Sequence, residues 1–101
     1  MKRSVIQVAD HVKPDADIVE TARQVGDLVV ASLQRGETVA VSLRGVRGVP
    51  SSFLNVLLSV VAAELPGLDG ERFSMEFDSD IQRELFSRSR DAVLKSRQRA
   101  G

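Results

Sequence analysis

Two adjacent serines, Ser51 and Ser52, follow a loop with two arginines and two glycines, Arg44-Gly45-Val46-Arg47-Gly48-Val49-Pro50, and here the residue types come nearest to chemistry. A serine nucleophile needs a general base, and the chain has one histidine, His11, with no G-x-S-x-G turn around either serine. Hydrolysis by that route is not expected. A phosphate-cradling loop would need the lysine and spacing of a Walker A sequence or the G-x-G-x-x-G of a dinucleotide site, and this loop has neither. His11 has no second histidine to share a metal with and there is no cysteine, so neither metal nor cofactor is expected. Asp10 and Asp15 beside it read as turn and cap residues. With no pair of catalytic groups at usable spacing, the chain is not expected to be an enzyme. What the stretch offers is recognition: Arg44, Arg47, Ser51, Ser52 and Asn55 form the candidate partner-binding set.

The elements that must position this set follow from periodicity. Thr38 to Leu43 is a strand whose residues all tolerate burial, which predicts a central position in a sheet. The two glycines and Pro50 cannot prolong it and predict an exposed bend. From Ser52 to Leu65 an apolar run leaves only Ser52, Asn55 and Ser59 as a narrow polar stripe. Such a helix is either covered on two sides or offers spare apolar surface to a partner. It is too short to span a bilayer comfortably, and Pro66-Gly67 stops it, so no membrane segment is expected. Its inward face should include Leu57 and Val61. Ser52 stands where a serine oxygen caps the first turn, a contribution of about 1 kcal/mol.

Around this centre, Ser4 to Ala9 is a short β-branched strand with Ile6 and Val8 on one face. Asp10 to Asp15, with His11 and Pro14, is a connection. Ala16 to Gln34 is an amphipathic helix, capped by Asp15 or Asp17 and closed by Gly36. Glu71 to Phe77 alternates Phe73, Met75 and Phe77 with polar residues, as a strand buried on one face does at a sheet edge. Asp80 to Arg97 is a helix with acids first and bases last, as its macrodipole favours, and residues 97–101 are expected to fray. The order βαβαβα predicts one small α/β domain over residues 1–101, in two or three layers, with a mainly parallel sheet. A three-stranded sheet leaves two edges, so pairing with a second copy of the chain belongs to the expectation.

Composition narrows the partners. Fourteen Lys+Arg balance fourteen Asp+Glu, so no global field attracts nucleic acid or an acidic membrane. Trp and Tyr are absent, which removes the usual stacking platform for single strands. The start of the chain shows no apolar signal segment, because Asp10, His11 and Lys13 interrupt it, and a cytoplasmic location is the expectation.

The run V-A-V-S-L-R-G-V-R-G-V-P-S-S-F-L-N, Val39 to Asn55, resembles the STAS-like domain family, in which a strand leads through Gly-Val and a serine-rich turn to Phe-Leu at a helix start. Arg23, in E-T-A-R-Q-V-G, also falls where that family tends to have an arginine in its first helix. The resemblance extends to the broader fold of sulphate transporter and anti-sigma factor antagonist domains. It implies a regulatory, non-catalytic module that docks another protein, such as a histidine-kinase-like ATPase or an anti-sigma factor. In such antagonists a serine at a helix start is phosphorylated, and the matching residue is Ser52. The chain departs from that pattern at Ser42 and at Pro50, where the family has aspartates. The alternative reading, which rests on local basic residues and has the balanced charge and missing aromatics against it, is a small nucleic-acid-binding protein using Arg44, Arg47 and the basic C-terminal tail.

Overall fold

A computed structural model describes residues 2–13, 15 and 17–100, with the side chains of 98–100 outside that description. Pro14, in the expected connection, Ala16, at the expected helix start, and Gly101 lie outside it. So do the side chains of 98–100, within the stretch 97–101 at which fraying was expected. The chain forms β1 (Arg3–Gln7), a 3-10 turn (Val8–Asp10), α1 (Ile18–Gln34), β2 (Thr38–Ser42), α2 (Ser51–Glu64), β3 (Phe73–Glu76) and α3 (Asp80–Ala100). This is the expected βαβαβα order.

The strands form a three-stranded sheet in the order β1-β2-β3, parallel throughout, with Ile6 beside Val41 and Val41 beside Met75. Two right-handed crossovers in this order place α1 and α2 on the same face of the sheet. Val39, Val41 and Phe73 enter the core on that face, with Ile6 and Met75 packed against it. By alternation the opposite face carries Arg3, Val5, Gln7, Thr38, Ala40, Ser42, Ser74 and Glu76. Among the described residues no helix covers it: Val5 at its edge is 50% exposed, and Arg3 reaches over the buried Ala40 and Ser42 of β2 to Glu76 at 3.6 Å. The domain therefore has two layers.

Several element ends differ from the periodicity for local reasons. β1 stops at Gln7 because the His11 amide closes onto the Val8 carbonyl and turns the chain. β3 begins at Phe73, not Glu71, because Asp69 holds a turn: its carboxylate accepts from the Glu71 amide at 3.0 Å, and its carbonyl accepts from Arg72 and Phe73. α1 is capped by Asp17, whose Oδ1 accepts from the Val19 amide at 2.8 Å and the Glu20 amide at 3.4 Å. It closes at Gly36, φ +80°, with Gly36 donating to Leu33 and Glu37 to Ser32, the paired bonds that a left-handed residue after a helix allows.

Helix α2 lies between α1 and α3, over the sheet. Phe53, Leu54, Leu57, Leu58, Val61 and Ala62 are buried, and Val56 packs against the same core. Its surplus of apolar residues is thus consumed inside the molecule, leaving Ser51, Ser52, Asn55, Ser59, Ala63 and Glu64 outside. Of the two alternatives posed by the sequence, coverage on both flanks is the one realised.

Glu37, at the start of β2, is 8% exposed and ties three segments together. Arg35 donates to it at 3.1 Å, and the Ser4 hydroxyl donates to it from β1. These hydrogen bonds, Arg35's first and Ser4's next, hold its pKa at about 2 against the opposing effect of burial. A depressed carboxylate stabilises the fold above its unfolded pKa, and that stability is lost as pH falls through the folded value. The stability gap between the native protein and Glu37→Gln is therefore expected to be full at pH 6 and to close between about 4.5 and about 2. Urea midpoints of both proteins across that range check this, and a gap independent of pH would show that the network does not depend on the charge.

Candidate functional site: the corner between β2 and α2

The loop leaves β2 through a tight turn in which the Val46 amide donates to the Leu43 carbonyl at 3.1 Å. Gly45, at the third position of that turn, has φ +81°, where a side chain would be strained. Its amide donates to Asp78 Oδ2 at 2.6 Å. Gly48 also has positive φ, +67°, and redirects the chain toward Pro50. Val49 is buried between them, so the loop is anchored by an apolar side chain as well as by hydrogen bonds.

The firmest anchor comes from a different element. Gln82, in the first turn of α3, is 7% exposed and donates through Nε2 to the Val46 carbonyl at 2.9 Å and to the Leu43 carbonyl at 3.5 Å. Its Oε1 accepts from the Asp78 amide at 2.8 Å, and its own amide donates to Ser79 Oγ at 3.2 Å. Ser79 and Gln82 form a variant of the capping box, with the glutamine reaching one residue further back than usual and serving the loop as well. Neither Gln82 nor Asp78 was among the residues singled out from the sequence. The S-x-x-Q spacing was the available signal, though it marks a helix start rather than a loop clamp. Replacing Gln82 with Leu removes the amide group and leaves two carbonyls and one amide without it. A loss of about 1–3 kcal/mol is expected, with faster hydrogen exchange at Gly45 and Val46. An unchanged urea midpoint and exchange rate would show that Gln82 does not hold the loop.

The five candidate residues are all exposed. Ser51, Ser52 and Asn55 share the outward face of α2, and Arg44 and Arg47 project from the loop before it. Among the described residues none of these five side chains makes a hydrogen bond or an ion pair within the domain. Asn55 also borders a shallow groove toward α3, with Ser59, Val93 and Ser96.

Ser52 is not the helix cap. The capping position is Pro50, in extended conformation with φ −79° and ψ 157°, and no side chain caps the first turn. The Pro50 carbonyl accepts from the Phe53 amide at 3.1 Å, which places both serines inside the helix. A cap must have its backbone outside the helix for its oxygen to fold back onto the following amides. Proline, with φ fixed near −65°, occupies that place instead. Neither serine therefore serves as the cap.

Residues 21–74, more than half of the chain, match a family described as a STAS-like domain of unknown function (DUF4325). The chain belongs to this family. The match runs from the first turn of α1 into β3 and includes the whole corner, whereas Asp78 and Gln82, which hold the STAS-like domain's loop in place, lie after it. No curated protein and no solved structure matches the chain. Arg23, part of the resemblance, is exposed on α1 and pairs with Glu20 at 3.7 Å. No helix among the described residues is long and apolar enough to cross a membrane, and among them no three His, Cys, Asp or Glu side chains group as a metal site requires.

Proposed function

We propose that this STAS-like domain is a non-catalytic regulatory module that docks another protein through the β2–α2 corner, in the manner of an anti-sigma factor antagonist or a related partner-switching component. One observation carries the reading. The corner is fixed from behind by a buried amide and a carboxylate, Gln82 and Asp78, while Arg44, Arg47, Ser51, Ser52 and Asn55 are exposed and have no internal partners among the described residues. A loop pinned in this way loses little conformational entropy on binding, which favours recognition by a preformed surface. These five side chains include no general base, so the corner suits recognition rather than turnover.

Two exposed arginines beside two serines suit an acidic surface on the partner, such as that of a histidine-kinase-like ATPase or an anti-sigma factor. Phosphate on Ser52 would add roughly −1.5 to −2 charges and turn attraction into repulsion. The test is affinity capture from the native cytoplasm followed by titration of the retained protein. Ser52→Asp is expected to bind at least about tenfold more weakly, a change of about 1.4 kcal/mol. Equal affinity for Ser52→Asp and the native protein would remove the corner as the docking surface. Retention of nucleic acid at physiological salt, lost on removing Arg44 and Arg47, would replace the reading with the electrostatic one.

A further inference from the structure

A groove of about 320 Å³ opens beside the corner, between the segment that follows β1 and the loop that follows β2. It sits outside the carboxyl ends of two adjacent parallel strands, the region where open α/β sheets take their ligands. Its floor is buried and apolar: Val8 is 0%, Phe53 2% and Thr21 4% exposed, and the Thr21 hydroxyl is engaged with the Asp17 carbonyl at 3.1 Å. Its lip carries two large apolar side chains that face water, Val12 at 50% and Ile18 at 44% exposure. Lys13 and Arg47 also border the groove, both exposed, and among the described residues neither forms an ion pair. A largely apolar floor with cations at its mouth is complementary to a molecule that is apolar along its length and negative at one end.

We propose that this groove binds a small amphipathic anion, its apolar body on Val8, Thr21 and Phe53 and its head between Lys13 and Arg47. The volume sets the size. At about 30 Å³ per water-sized unit it holds roughly ten non-hydrogen atoms, more than a single inserted aliphatic side chain supplies. The groove shares Arg47 with the docking corner, but it is tested separately, since it concerns what the isolated domain binds.

Octanoate is the probe, titrated into ¹⁵N-labelled protein below its micellar concentration. Acetate supplies the head without the body, and octanol the body without the head. The expected result is saturable shifts confined to the segments around Val8, Val12, Ile18 and Val46–Phe53, with acetate and octanol each at least tenfold weaker. Charge reversal at both rim positions, Lys13→Glu with Arg47→Glu, is expected to weaken octanoate at least tenfold. Ile18→Trp, a change at an exposed lip, is expected to obstruct the groove and abolish the shifts while the amide spectrum keeps its native dispersion. The proposal is overturned if shifts fail to saturate or spread over the surface, if octanol binds as well as octanoate, or if the rim and lip variants bind octanoate like the native protein.

Discussion

Leu57→Ala is expected to lower the stability of the domain by about 2–5 kcal/mol, the range for truncating a fully buried leucine whose surroundings collapse only in part. Leu57 has no exposed surface and sits on the inward face of α2, one turn before Val61, which is equally buried. Because α2 has helices on both flanks and the sheet beneath, the cavity would be enclosed by already packed elements. Small domains are stable by only about 5–15 kcal/mol in total, so the loss is a large fraction of what holds this one together. Urea titration measures it, with Leu28→Ala, at a residue 43% exposed on α1, as the comparison expected to change little. Equal midpoints for the two variants would mean that the inward face of α2 has been misassigned.

Gly26→Ala is expected to destabilise by about 1–3 kcal/mol, although alanine in a helix interior is intrinsically favoured over glycine by about 1 kcal/mol. A β-carbon at Gly26 would lie 2.8 Å from both Cβ and Cγ1 of Val60, closer than such atoms approach. Val60 cannot move aside by changing rotamer, because its Cβ is fixed to the α2 backbone and its branched side chain is stiff. Relief therefore requires α1 and α2 to separate, which loosens the core between them. In a Val60→Gly background the same substitution should cost much less, and the double-mutant cycle isolates this contact from propensity. Gly67→Ala, at a position with open space around it, is the neutral comparison. A stabilising Gly26→Ala would show that the helices are not in close contact there.

Much of the fold was legible because it is written in short-range patterns. The three-and-four spacing of Ile18 through Leu33, the alternation of Phe73 and Met75, and the bend at Gly45 and Gly48 each express a local rule of backbone geometry. Gly36 at the end of α1 and the acid at its start obeyed the same kind of rule. The resemblance around Val39 to Asn55 identified the family, and the residues proposed for recognition all prove to be exposed.

What the sequence determined, then, was the order of elements, the parallel sheet that follows from two crossovers, and β2 as the buried central strand. The tertiary structure decided the rest. Ser52, read as a helix cap, lies inside the helix because Pro50, extended at ψ 157°, takes the capping position. The apolar surplus of α2 left open whether it was covered on two sides or offered to a partner, since composition counts apolar residues without saying what covers them, and α1 and α3 on its two flanks decide it. Gln82 holds carbonyls 36 and 39 residues away, and no local pattern encodes a bond between groups so far apart in the chain. The groove beside the corner is likewise made by residues from 8 to 53, which become neighbours only because β1 and β2 lie side by side and end together.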